Sequence, residues 1–295
     1  MESETKTLPE VNKLLIEDMS LKIPEKLLHR FSIAPMMEVT NTHFRFFTRL
    51  FTRYSTLWTE MYHSNMLIHN EEGRNRALKF HPIEHPVVCQ LGGNDPIDLS
   101  IAAKYVEEAG FDEVNINCGC PSERVSKGAF GACLMKDPET VAKCVEAMQK
   151  AVSIPVHVKC RIGVDDQDDY DFSKFFVEKM KESGCQHVLV HARKAYLKGL
   201  NPTQNRNIPP LNYDTVINLK KDFPEVDISI NGGFKNLDDV EEILKEENGL
   251  TGCMVGRMAY EDPWKMCDVD RRIYGMENPG YSRKEILQIW GKYVD

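Results

Sequence analysis

No stretch of this chain approaches the ~20 consecutive apolar residues of a membrane span, so a bilayer-crossing role is not expected. The opening residues, MESETKTLPEVNKLLIEDM, have neither the apolar core of a secretory signal nor the Arg-rich pattern of a transit peptide. The cytosol is the expected compartment, with a mitochondrion or plastid left open. Cys-x-x-Cys is absent, and of nine cysteines only Cys118 and Cys120 lie close together. The cysteine spacing therefore supports no zinc or iron–sulfur site, no metal is expected, and reduced thiols in a reducing compartment are the simplest reading. Excess positive charge is missing too. A net charge of −8 disfavours broad nonspecific nucleic-acid binding but is compatible with RNA held by a local basic patch.

What is present is a repeat of strand and helix. With 295 residues, 42% hydrophobic and 28% charged, the chain has room for one large α/β barrel or two ordinary domains. Beyond an N-terminal extension (1–30), strands are expected over 31–37, 55–60, 86–91, 113–117, 155–160, 187–191, 227–231 and 252–256. Helical patterns follow at 43–51, 98–109, 138–151, 171–183, 213–222 and 237–246, and again from Pro263. About eight evenly spaced units predict a (β/α)8 TIM barrel rather than an open doubly wound sheet. The barrel is placed at 31–275, with a short C-terminal helical segment at 276–295. A monomer is expected.

Chemistry in such barrels sits at the C-terminal ends of the strands. Those ends deliver Met36, Met37, Glu60, Met61, Gln90, Asn117, Lys159, Arg161, His191, Arg193, Asn231 and Arg257 to one rim. The most informative segment is 113–135, EVNINCGCPSERVSKGAFGACLM, a strand that breaks into a loop with Cys120 held between Gly119 and Pro121. Gly128 and Gly131 make that loop a candidate mobile lid. Glycine pairs after the last two strands, Gly232-Gly233 and Gly256 before Arg257, suit a phosphate, although each alone reads as an ordinary turn. Gln90 suits a pyrimidine edge, and Lys159 can stabilise the anion of a reduced ring. Met36, Met37 and Met61 pack against a ring or serve as plain core. His191 contacts a ligand or caps the core, and Arg161 is a candidate structural residue.

The sequence resembles the tRNA-dihydrouridine synthases, specifically their A-type subfamily. The match runs over about 31–275 through Ala34-Pro-Met36, Thr59-Glu-Met61, Gln90-Leu-Gly-Gly93, Asn117-x-Gly-Cys-Pro-Ser122 and Gly131-Ala-Cys133. It continues in Val158-Lys159-x-Arg-Ile-Gly163, His191-Ala-Arg-Lys194, Asn205-Arg-x-Ile-Pro-Pro-Leu211, Ser229-Ile-Asn-Gly-Gly233 and Met254-Val-Gly-Arg257. The resemblance implies bound FMN, NADPH as reductant, and reduction of the uridine C5=C6 bond in the D-loop of tRNA, with positions 20 and 20a indicated. It implies Cys120 as the general acid, a role suited to an unactivated, largely protonated thiol. It carries Pro35, Met36, Met37, Gln90, Lys159, His191, Asn231, Gly232, Gly233, Gly256 and Arg257 over as flavin contacts, and Asn117 as a ligand of flavin or uracil. Arg124, Lys127, Lys194, Lys198 and Arg206 form the expected basic rim for tRNA phosphates.

Two departures from the family pattern stand out. Asn41 replaces the usual aspartate, an exchange of one turn-capping residue for another. The residues from 276 onward read as the beginning of the family's helical tRNA-gripping domain and not the whole of it. Two other readings therefore remain: a catalytically weak RNA-binding barrel, and a flavin oxidoreductase acting on a small free pyrimidine.

Overall fold

The computed structural model describes residues 23–24 and 27–294, apart from the side chains of Arg124 and Lys127. Most of the expected N-terminal extension lies outside the described residues. Eight parallel strands form one sheet: β1 (Phe31–Ile33), β2 (Leu57–His63), β3 (Val87–Gly92), β4 (Glu113–Asn117), β5 (Val156–Arg161), β6 (His187–His191), β7 (Asp227–Asn231) and β8 (Gly252–Val255). Their order is β1-β8-β7-β6-β5-β4-β3-β2, and a parallel bridge between Ser32 and Thr56 joins the two ends. Ile33 N donates to Thr56 O and Thr56 N to Phe31 O, each at 3.0 Å, so the expected (β/α)8 barrel closes. Among the described residues no helix is long and apolar enough to cross a membrane. All nine cysteines are free.

The strands β4, β6 and β7 and the helices Pro138–Ala151 and Tyr213–Asp222 begin and end where the sequence places them. The first strand is shorter than expected. It stops at Ile33 because Pro35 cannot donate to a ladder and the chain turns, with Val39 N and Thr40 N both donating to Met36 O. Two helices between β2 and β3, Ser64–His69 and Glu71–Ala77, are absent from the sequence reading. The second has its start marked by Asn70, whose Oδ1 accepts from Gly73 N at 2.8 Å, and by Glu71 and Glu72 in its first turn. Asn41 caps as anticipated: its Oδ1 accepts from Phe44 N at 3.0 Å at the start of the helix Thr42–Arg49. The last helix, Arg283–Val294, lies back on that one, with Tyr293 stacked on Phe46 at 3.8 Å and Trp290 edge-on to Phe47 at 5.1 Å.

Strand alternation sorts the side chains into two sets. Val114, Ile116, Val158, Val188, Val190, Ile228, Ile230 and Val255 point outward into the large core shared with the helices. The alternate positions fill the barrel. Its middle is apolar, a separate cluster of Trp58, Val88, Leu189 and Met254 with Ala34. Above that plug the same alternation carries Gln90, Asn117, Lys159, His191 and Asn231 to the mouth; below it lie Glu113, His157 and His187 at the floor.

The floor is sealed by the segment before β1. Cys253 N donates to Arg30 O at 3.1 Å, and the Arg30 guanidinium caps Leu244 O and Leu250 O at 2.7 and 3.0 Å. Gly252 makes the approach possible, because a Cβ there would stand 1.8 Å from His29 O. A Gly252→Ala variant must push two backbones apart. It is expected to lose about 3 kcal/mol or more of stability, read from urea denaturation against the wild type.

Candidate active site at the barrel mouth

The cysteine loop hangs from one asparagine. Asn117, the last residue of β4, accepts through Oδ1 from Cys120 N at 2.9 Å and from Gly119 N at 3.1 Å. Its Nδ2 donates to Gln90 Oε1 at 2.8 Å, and Gln90 Nε2 donates to Asn115 Oδ1 at 2.9 Å. Gln90 is therefore buried behind Asn117, with one N–H and one lone pair to spare. Asn115, which the sequence reading passed over, is what fixes it; the alternation in Glu-Val-Asn-Ile-Asn carries the signal. The Asn115 Nδ2 is itself buried with no hydrogen-bond partner.

Cys120 is half-buried at the rim, while Cys118, two residues before it, is fully buried in the core. The loop beyond is pinned at its base: Ala132 N donates to Cys120 O at 2.9 Å. Phe130 lies edge-on to His63 at 4.8 Å and covers Gly92, where a Cβ would meet its ring at 2.8 Å. A second anchor comes from Arg161, at the end of β5 and 4% exposed. Its Nε donates to Gly119 O at 2.8 Å, and its Nη1 to Lys194 O and Asn205 O at 3.0 and 3.2 Å. One guanidinium thus ties the cysteine loop to the loop after β6, the structural role the sequence proposes for it. Asn205 organises that second loop, accepting from Tyr196 N and donating to the carbonyls of Tyr196, Leu200 and Asn201.

The mouth is cationic although the chain is acidic. Lys159 donates to Asn231 Oδ1 at 3.2 Å, and Asn231 is oriented by its own bond to Met254 O at 2.8 Å. Burial, then the neighbouring Arg161, lowers Lys159 to about 8. Burial likewise brings Arg161 down to about 10, with Arg206 and Arg193 adding to the effect. His191 is pushed well below the ordinary histidine range by burial, then by Arg161 and Lys159, so its ring is neutral. Arg193 and Arg206 each feel burial and then Arg257. The groups that shift these residues are each other, thiols and a phenol. Such a cluster is a site waiting for an anion.

A pH dependence follows from Lys159. The unfolded lysine keeps its proton to about 10.5 while the folded one releases it near 8. The unfolded state then binds more protons in between, so ligand-free protein gains stability as pH rises through that window. Urea denaturation at several pH values should show the rise, and Lys159→Met should flatten it.

A flavin mononucleotide fits what is here. Its phosphate needs a close backbone and cations. Gly232 and Gly233 turn with φ of +125° and +82°, and a Cβ on either would strike His191 (2.8 Å) or Leu211 (2.4 Å). Beside them stand Gly256 and Arg257, whose Nη1 donates to Asn207 Oδ1 at 2.8 Å. A ring above the apolar plug would meet Lys159, Asn117 and Met36, the last packed beside Gly256 with Sδ 3.5 Å from where a Cβ would lie. Pro35 is half-buried next to it, and Met37 stands out in solvent at 56% exposure. Of the expected RNA-facing residues, Lys198 and Arg206 are exposed on the loop after β6. Lys194 is committed instead to Asp168 at 2.6 Å and to the Tyr196 ring at 4.7 Å. Arg124 and Lys127 lie in the short helix Glu123–Lys127 beside the cysteine loop, their side chains outside the described residues.

Comparison with known proteins converges on one family. The model described as dihydrouridine synthase matches residues 32–294. A tRNA-dihydrouridine(20/20a) synthase of Synechocystis is 48% identical over 268 residues, covering 91% of this chain and 79% of the relative. Those of Vibrio vulnificus and Shewanella oneidensis are 47% and 46% identical, over 90% of this chain and 80% and 77% of theirs.

Proposed function

The chain belongs to the dihydrouridine synthase family, a family of flavin-dependent oxidoreductases, and from that membership we propose how its mouth works. The enzyme reduces uridine in tRNA to dihydrouridine. FMN is the flavin and NADPH the reductant in this reading, and D-loop positions 20 and 20a are the target. The observation that carries it is the convergence of a half-buried cysteine, an oriented asparagine and a cationic cradle on one barrel rim.

The flavin, when bound, supplies the hydride that adds to uracil C6. Negative charge then develops toward C5 and O4, and C5 must receive a proton. Cys120 is the donor, its Sγ–H bond breaking as the new C5–H bond forms. Asn117 sets its position, since the Cys120 N–H is tied to Asn117 Oδ1 and cannot swing away without breaking the loop's turn. Lys159 and Asn231 would lie beside the ring of the bound cofactor, where the ammonium would oppose negative charge. Gly232, Gly233, Gly256 and Arg257 would hold the phosphate, and the neutral His191 would donate or accept beside them.

The target base has to leave its stack to reach this depth. Lys198 and Arg206, with Arg124 and Lys127 across the mouth, take the flanking phosphates. The division into an extension (1–30), a barrel (31–275) and a recognition region rooted at 276–295 belongs to the same proposal, as does action in the cytosol as a monomer.

One cuvette tests it. Under anaerobic conditions NADPH should bleach the flavin band of the purified protein, and unmodified tRNA should restore it. Bleaching without restoration by tRNA would favour an RNA-binding barrel that has lost catalysis; restoration by free uracil or orotate, each of which offers a C5=C6 bond to accept the hydride, would favour a small-pyrimidine oxidoreductase.

A further inference from the structure

The other end of the barrel holds a second cluster of ligating groups, which the flavin chemistry does not use. Glu113 opens β4, His157 lies near the start of β5, His187 opens β6, and His29 sits just ahead of β1. One ring nitrogen from each histidine lies within 4.8 Å of the other two. His29 Nε2 is 3.3 Å from Glu113 Oε1, and His157 Nδ1 is 3.1 Å from Glu113 Oε2. His157, His187 and Glu113 are at most 3% exposed, and His29 reaches the protein's edge.

Beyond those two close histidine–carboxylate approaches, the cluster is left with buried polar atoms that make no well-formed hydrogen bond. Nine such side-chain atoms occur among the described residues, and four of them are His29 Nδ1, Glu113 Oε2, His157 Nδ1 and His187 Nδ1. Buried polar atoms are normally satisfied. Three histidines whose ring nitrogens converge, with a buried carboxylate 3.1–3.3 Å from two of them, are the donor set of a tetrahedral metal site. The surrounding bonds suit that reading. His187 Nε2 is 2.9 Å from Ser229 Oγ, a contact that fixes the ring and leaves Nδ1 as its free nitrogen.

We propose that His29, His157, His187 and Glu113 form a structural zinc site at the barrel floor. Imidazoles with one carboxylate select a borderline cation such as Zn²⁺ over the oxygen-seeking Mg²⁺ or Ca²⁺. The site is closed, not catalytic: the Trp58–Val88–Leu189–Met254 plug separates it from the mouth. The metal would staple the segment before β1 to β4, β5 and β6, completing the seal that Arg30 and Gly252 begin. Cysteine spacing gives no hint of it, because no cysteine takes part.

The test uses the flavin-loaded full chain. After exhaustive dialysis, elemental analysis should find one zinc per chain. Removal by chelator should lower the melting temperature, and graded Zn²⁺ should restore it in step with the logarithm of free metal. His157→Thr and His187→Met should lose both the metal and the Zn²⁺-dependent shift while keeping flavin absorbance. If either fails to fold, His29→Ala at the protein's edge serves instead. Substitution by Co²⁺ should give tetrahedral d–d bands without a thiolate charge-transfer band. Wild type that neither retains zinc nor shifts with it overturns the proposal. So does zinc retained by the histidine variants, or a thiolate–cobalt band, either of which puts the metal on cysteine.

Discussion

Cys120→Ala is expected to lower dihydrouridine formation by about 10²–10⁴-fold, the usual contribution of a positioned general acid, while leaving a yellow protein that NADPH still reduces. The split matters because both anchors of the residue are backbone groups. The Cys120 N–H bond to Asn117 and the Ala132 N–H bond to Cys120 O survive the substitution, so loop and cradle stay assembled. Stopped-flow measurement of flavin reduction by NADPH, then of reoxidation by tRNA, separates the two half-reactions. Only the second should slow. Cys120→Ser should not rescue it, since an alcohol is a far weaker acid than a thiol. Unchanged reoxidation would remove Cys120 from the proton path.

Arg161→Met should be the most damaging change away from the reacting atoms. The side chain is buried and gives three bonds to carbonyls of two different loops. Hydrogen bonds from a charged donor are worth about 1.5–3 kcal/mol each, so a loss of at least about 3 kcal/mol is expected even with partial relaxation. Function should suffer beyond stability, because the cysteine loop and the loop after β6 would no longer move as one piece. Removing this charge should also let Lys159 and His191 titrate higher, since Arg161 is next after burial among the causes holding both down. Arg161→Lys should recover little, lacking the planar fork that reaches separate acceptors. Urea denaturation and kcat/KM on tRNA, measured on one preparation, decide the matter. A variant with wild-type stability would contradict the three-bond anchor.

The barrel and its rim were legible because strand ends carry chemistry and the strand–helix units repeat evenly. Cys120, Asn117, Lys159, His191 and Asn231 stand at the ends of β4 to β7 or just past them, where counting strand–helix units places them. What escaped was set by alternation inside the strands and by contacts distant in sequence. Asn115 is one step of two residues below Asn117 and reads as an ordinary strand residue until Gln90 arrives from β3. Lys194 looked available for phosphate, and only folding brings Asp168 to it. The floor histidines are invisible for the same reason. His29, His157 and His187 are scattered along the chain, and nothing in their local spacing marks them as neighbours.

The contrast between an acidic chain and a cationic mouth has a consequence for encounters in solution. A polyanion is repelled by the chain's net charge of −8 and drawn by the cationic mouth. Field, before any contact forms, discards the wrong orientations. Raising ionic strength shortens that reach to about 8 Å near physiological salt. The productive encounter should then become rarer while the reaction of an RNA already seated continues at its own pace.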